Sequence, residues 1–300
     1  MAYRFKRGDL SVQEGVRRIA LGEIRNAMAE IDAAELAPDE IVHEARTHCK
    51  KLRALTRLVR PVFPAYGEEN AIFRDAAAGL SSARDAAVSL QALDGLMRRF
   101  GERLAPQSWS SIRLCLNERC ESVAAEGAVN EKLATFRSIM EETAKRAPKW
   151  KIGKGGFEAI AGGLAATYKR ARNAMAQGRN DPTAANLHEW RKRVKDHWYH
   201  ARLLHSVWPS AMSPHQQAAG RLAELLGDRH DLEVLETNFA IAPDMFGKRK
   251  ELLTVLGLIE WQRAMLEADA FRLGRRLFAH RPSAFARAWQ IYWDVWKNRQ

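Results

Sequence analysis

Apolar residues recur three and four positions apart along almost the whole chain, in stretches that begin near Val12, Ile41, Ala71, Trp109, Phe157, Leu187, Gln217 and Glu251. That spacing keeps side chains on one face of a helix turning 3.6 residues at a time, so the pattern predicts amphipathic helices. Alternating apolar and polar runs between turn residues, the mark of a half-buried strand, are missing. The predicted fold is all-α. Helix punctuation supports it: Pro61 and Pro64 are expected to end one helix, Pro209 and Pro214 its counterpart, and Asp181-Pro182-Thr183 to start another. Pro148 to Gly156 (PKWKIGKGG) reads as a linker, because its glycines and lysines do not meet the GxxxxGK-Ser/Thr spacing of a phosphate loop.

Around this linker the sequence repeats itself. RNAMA stands at Arg25–Ala29 and again at Arg172–Ala176. His43-Glu44-Ala45-Arg46 is matched by His188-Glu189-Trp190-Arg191. Each is followed at equal distance by a lysine, Lys50 or Lys195, and then by an arginine, Arg57 or Arg202. A third match aligns Leu80–Asp85 (LSSARD) with Leu226–Asp231 (LGDRHD). Ordered matches at nearly constant intervals predict an internal duplication. The expected units are a four-helix bundle over 5–147, the linker over 148–156 and a second four-helix bundle over 157–300.

Charge sharpens the reading. Lys and Arg outnumber Asp and Glu by 48 to 36 in 300 residues, a net +12, which predicts attraction to polyanions. Residues 1–150 hold 24 basic and 21 acidic side chains and residues 151–300 hold 24 and 15, so the second half is the more electropositive. No secretory signal opens the sequence, no apolar run would span a bilayer, and Cys49, Cys115 and Cys120 lack a metal or redox spacing, so a reducing cytoplasm is expected.

The basic residues are ordered on one helix. With His43 at zero, Arg46, Lys50, Arg53 and Arg57 fall within an arc of roughly 80° along about 21 Å of helix. The apolar Val42, Ala45, Cys49, Leu52 and Val59 occupy the adjacent arc. His188, Arg191, Lys195 and Arg202 repeat the stripe, with Trp198 in the slot of Arg53. Close like charges cost a few tenths of a kcal/mol per pair in a helix. Glu44 and Glu189 lie about 100° off the line and Asp196 about 80°, so no carboxylate is expected to interleave. Such a stripe suits an extended anion, with arginine making forked contacts to phosphate oxygens and lysine and protonated histidine adding donors.

The His-x-x-Arg-x-x-x-Lys signature, with further arginines on the same face and present in both halves, resembles the CHAD family of histidine-containing α-helical domains. The resemblance spans about Phe5 to Trp296 and includes Tyr168-Lys169-Arg170-Ala171-Arg172 and the RPSAFARAW stretch. It implies two four-helix units related by a pseudo-twofold, a basic central cleft, inorganic polyphosphate as ligand and an association with polyphosphate granules in a bacterial cytoplasm. It also implies binding roles for Arg25, Tyr168, Lys169 and Arg172 beside the two stripes. The Glu-x-Glu-x-Lys signature of the triphosphatase domain often fused to such units is absent, so a stand-alone domain is expected. In the first half Leu21 and Glu23 replace Tyr168 and Arg170, which weakens the case for binding through that helix.

Other chemistry finds less support. His43-Glu44 and His48 do not form HExxH, His197 and His200 lack an evident third ligand, and no nucleophile elbow occurs. No cofactor, metal or catalytic residue is expected, and the protein is read as a non-enzyme. Trp190, Trp198, Trp208, Trp289, Trp293 and Trp296 stand at mostly helical spacing and are expected in the core. Two rivals remain. An RNA- or DNA-binding module would use the same basic groove but would favour interleaved aromatics. A metal-dependent phosphohydrolase would need a carboxylate cluster facing the phosphates.

Overall fold

The computed structural model describes residues 3–33, 38–80, 84–125, 129–241, 246 and 248–298, with the side chains of 38, 39, 84–87 and 119–125 excepted. Within them the chain forms α1 (Val12–Asp32), α2 (Pro38–Leu58), α3 (Tyr66–Gly79), α4 (Arg84–Phe100), α5 (Pro106–Ala125), α6 (Val129–Arg146), α7 (Glu158–Asn180), α8 (Ala184–Leu204), α9 (Pro209–Ile241), α10 (Arg249–Leu277) and α11 (Pro282–Asn298). Among the described residues there is no strand.

Local chemistry sets several boundaries. Ser11 caps α1 by accepting from the Glu14 N–H at 3.1 Å, while the Glu14 carboxylate reaches back to accept from the Leu10 N–H at 2.7 Å. These reciprocal bonds satisfy donors that the first helical turn leaves open. Thr183 caps α8, as the Asp-Pro-Thr run predicts. The expectation for Pro209 and Pro214 is corrected. α8 ends at Leu204, and Pro209 opens α9 with Pro214 inside its early turns. A proline at the first helical position gives up only an N–H that had no intrahelical partner.

α1, α2, α3 and α6 pack side by side in a ring, and α7, α8, α9 and α10 form another. The apolar arc of α2 turns inward as expected: Val42, Ala45, Cys49, Leu52 and Val59 are all buried. α4 departs from the expected confinement of each half to its own bundle, because it lies along α9 of the second ring. The LSSARD segment falls between α3 and α4, and its residues 81–83 lie outside the described residues. LGDRHD sits within the unbroken α9.

The rings meet where α2 packs on α7 and α8. At Gly163 of α7 an added Cβ would stand 1.9 Å from the Leu58 carbonyl oxygen, so only hydrogen lets α7 approach the end of α2 this closely. His200 of α8 contacts the Ala54 carbonyl at 2.9 Å, and Arg57 of α2 reaches Asp196 of α8 at 2.6 Å. The 148–156 connection is non-helical apart from a single 3-10 turn at Ala147–Lys149, and it is fastened to the first ring. Trp150 is buried, donates through Nε1 to Glu69 at 3.1 Å and stacks near Phe63, while the Gly153 N–H donates to the Val62 carbonyl.

Candidate functional site

Where α2 and α8 face each other they leave a cleft of about 410 Å³. α2 lines it with Arg46, Lys50, Arg53 and Arg57, and α8 with His188, Arg191, Lys192, Arg193, Lys195, Asp196 and Tyr199. His230, Asp231 and Val234 of α9 and Val88 of α4 complete the wall. Among the described residues eight permanent cations thus face two carboxylates, a local excess of six positive charges.

The cations are held by specific partners. Arg46 donates to the Ala77 carbonyl at 2.7 Å, and Arg53 to Asn70 at 3.3 Å. Burial and the neighbouring Arg57 push the Arg53 guanidinium below its ordinary pKa, although arginine keeps its charge at such shifts. Arg193 donates to Glu189 at 2.6 Å and also stands 3.4 Å from Asp196.

The expectation that no carboxylate would enter the stripe is corrected. Asp196 is off the line on its own helix, but the cleft is concave and takes in the side of α8 as well as its crest. There Asp196 holds Arg57 of the other ring, and Asp231 enters from α9.

Seven of the thirteen sequence-derived candidates line this cleft: Arg46, Lys50, Arg53, Arg57, His188, Arg191 and Lys195. The structure does not bring the other six there. His43 is exposed near the start of α2, and Arg25 is exposed on α1. Arg202 lies over the rings of Trp198, Tyr3 and Tyr199 at 4.8, 5.6 and 5.9 Å, and lines a separate cavity of about 400 Å³ with Arg4, Glu23 and Lys51. Tyr168 is buried, stacked on Phe285 and donating to the Leu277 carbonyl at 3.0 Å. Arg172 donates to the His280 carbonyl at 3.3 Å, and Lys169 is exposed. Tyr168 and Arg172 therefore fasten α7 to the junction of α10 and α11.

Sequence reasoning missed Lys192, Arg193 and His230 as cleft residues. The run Arg191-Lys192-Arg193-Val194-Lys195 was the available signal for the first two, since four cations in five residues cover a broader arc than one stripe. Arg170, which aligns with Glu23, stands beside Arg193 and Asp196; burial first and then Arg193 lower its pKa. Glu23 is buried and accepts from His48 at 2.6 Å and from Lys51 at 3.0 Å, so this position of α1 serves packing in the first half.

His188 and His230 stand with ring centroids 4.5 Å apart. Burial, and then His230, lower the His188 pKa to about 4; burial and Arg191 lower that of His230. The expected protonated His188 is thus corrected to a neutral imidazole at pH 7. His197 and His215 form a second pair, Nε2 to Nε2 at 2.8 Å, inside an aromatic cluster. Burial drives His197 well below its ordinary value, His215 to about 4 and His200 to about 3.

Among the described residues one group has a composition that could hold a metal ion: Glu30, Glu44 and His48, with ligand atoms within 4.8 Å of one another. It lies outside the cleft lining, and both His48 nitrogens contact carboxylates, Glu23 and Glu30. Of the six tryptophans expected in the core, Trp190, Trp289 and Trp293 are buried, whereas Trp208 is 47% exposed. No described helix is long and apolar enough to cross a membrane.

Known proteins place this fold. No curated protein matches the chain. The chain superposes on the crystal structure of the CHAD domain from the plant Ricinus communis with a TM-score of 0.62 and 17% identity, over 93% of this chain and 96% of that one. The sequence model of the CHAD domain matches residues 19–240. The chain belongs to the CHAD domain family.

Proposed function

We propose that the protein binds inorganic polyphosphate in the α2–α8 cleft and performs no chemistry on it. One observation carries the reading: among the described residues, eight permanent cations from two helices converge on one cavity whose lining includes two carboxylates. A polyphosphate chain supplies charge at the density such a surface accommodates, and arginine and lysine are suited to phosphate oxygens. Asp196, bridged to Arg57 and Arg193, is committed to holding cations in place and is unsuited to organising a metal-dependent hydrolysis. On the same reading the cleft would hold the protein to polyphosphate granules.

Nucleic acid is the second reading, since a basic groove also attracts a sugar–phosphate chain. Among the described lining residues Tyr199 is the one Phe, Tyr or Trp, and that ring is buried, so beyond the imidazoles of His188 and His230 bases meet little stacking surface. The test is a competition titration at physiological salt between polyphosphate and single-stranded RNA of matched charge. Polyphosphate is expected to win, with no phosphate released during incubation with magnesium or manganese. RNA binding as tight as polyphosphate, or release that copurifies with the protein and vanishes in a cleft variant, would overturn the proposal.

A further inference from the structure

We propose that His188 and His230 form one proton-accepting pair in the cleft, so that a polyanion is bound together with a proton and held more tightly as the solution is acidified. The inference rests on the polyphosphate reading of the same cleft and adds to it a residue, His230, and a form of regulation.

The geometry supplies the argument. His188 projects from α8 and His230 from α9, and both line the cavity. Their rings are 4.5 Å apart at 50°. Among the described residues neither Nδ1 has a hydrogen-bond partner, and the Glu233 carboxylate is 3.6 Å from that of His230, too far for one.

The groups around the pair decide its charge. α8 contributes Arg191 and Lys192, and α9 contributes Asp231 and Glu233. α2 adds Arg46 and Lys50 across the cavity, and α4 adds the uncharged Val88. Glu233 is already held by Arg229, which is also bound to Glu267 at 2.9 Å. Without a ligand, cations and burial therefore keep both imidazoles neutral. An extended anion against Arg46, Lys50, Arg191 and Lys192 cancels that field and supplies an acceptor for an N–H. Both changes favour the imidazolium. Two rings in contact cannot both become cations cheaply, so the pair takes up at most about one proton.

Linkage is reciprocal: whatever the ligand does to the proton affinity, the proton does to the ligand affinity. One proton taken up corresponds to at most about a tenfold gain in affinity for each pH unit of acidification. Carboxylates ordinarily take up protons from a range nearer pH 4. A measurement close to pH 6 therefore separates them from the histidines.

The experiment is calorimetric titration with long-chain polyphosphate at fixed ionic strength, at about pH 6, in buffers of different ionisation enthalpy. The expected slope of observed enthalpy against buffer enthalpy is positive and no more than about one proton per site. Affinity should fall several-fold between about pH 6 and pH 7, within the tenfold linkage limit. The double variant His188→Asn/His230→Gln should lose the slope; His230→Gln alone serves if the double variant does not fold. The same polyphosphate is used throughout, so titration of its own end groups cancels in the comparison. Wild-type binding with zero slope, or a slope that survives in the variants, overturns the proton-linked pair alone. Absence of binding at every pH overturns the polyphosphate reading as well.

Discussion

Lowering the pH from about 7.5 to about 5 is expected to destabilise the unliganded fold by about 6 kcal/mol through the buried His197 and His200 and the half-buried His215. His197, His200 and His215 are neutral in the folded protein because burial lowers their pKa values, well below the ordinary 6.5 for His197 and to about 3 and about 4 for the others. In the unfolded chain each returns to 6.5. Below that value the unfolded state binds more protons than the folded one, so stability falls as pH falls, and the loss saturates only below the folded pKa values. At pH 5 the gap to 6.5 is worth about 2 kcal/mol per group at 1.36 kcal/mol per unit. The structure shows why protonation in place is no escape. His197 and His215 contact each other Nε2 to Nε2 at 2.8 Å inside aromatic rings, and a protonated His200 would be a buried cation near Arg57 and Arg170, with an Nδ1–H that has no acceptor among the described residues. The paired carboxylate Asp9 does not add to the loss at this pH. Burial pushes its pKa up, but the hydrogen bonds from Arg18 and the Lys6 N–H and the charges of Arg18 and Lys297 together outweigh it and keep the pKa below the usual range. Its contribution is therefore lost only under stronger acid. Urea unfolding at constant ionic strength measures the difference, to which the lowered pKa values of His188 and His230 also contribute, and His200→Gln should remove about 2 kcal/mol of it. A loss below about 2 kcal/mol, or no change in pH dependence on His200→Gln, would refute the assignment of neutral core histidines.

Charge reversal tests the cleft directly. Arg46→Glu and Arg191→Glu should each weaken polyphosphate binding by roughly tenfold or more, from charged contacts worth about 1.5–3 kcal/mol, while circular dichroism shows retained helicity. Arg191→Glu is expected to cost more: α2 and α8 each give the cleft four cations, but the half that contains α8 carries 24 basic and 15 acidic side chains against 24 and 21 in the other. Arg98→Glu and Lys132→Glu lie outside the lining and should cost much less in a salt-matched titration; equal losses would mean diffuse attraction to the net charge. Arg202→Gln should behave like these controls, since Arg202 lies over Trp198, Tyr3 and Tyr199 in a different cavity. Gly163→Ala should lower stability by about 3 kcal/mol in thermal denaturation, because its Cβ would collide with the Leu58 carbonyl and force α7 away from α2.

The sequence by itself determined what depends on neighbours a few residues apart. The three-and-four spacing of Val42, Ala45, Cys49, Leu52 and Val59 set the buried side of α2, and the same rotation set the line of Arg46, Lys50, Arg53 and Arg57 beside it. Thr183 as the cap of α8 was legible for the same reason, since a cap is a bond to a backbone three residues away. Tertiary structure decided which sides of different helices meet. Asp196 enters the cleft because α8 presents a wall as well as a crest to α2, and His230 enters because α9 closes that wall. Arg202 shares the sequence register of Arg57, but its guanidinium lies over the ring of Tyr3 and over Trp198 and Tyr199 of its own helix. Tyr168 and Arg172 carry a family resemblance, yet their partners, the Leu277 and His280 carbonyls, are more than a hundred positions distant. α4, too, leaves the ring formed by its neighbours in sequence to lie along α9. Helical period is a property of the local backbone, whereas a cleft is the meeting of surfaces brought together by burial of apolar area, which has no direction along the chain.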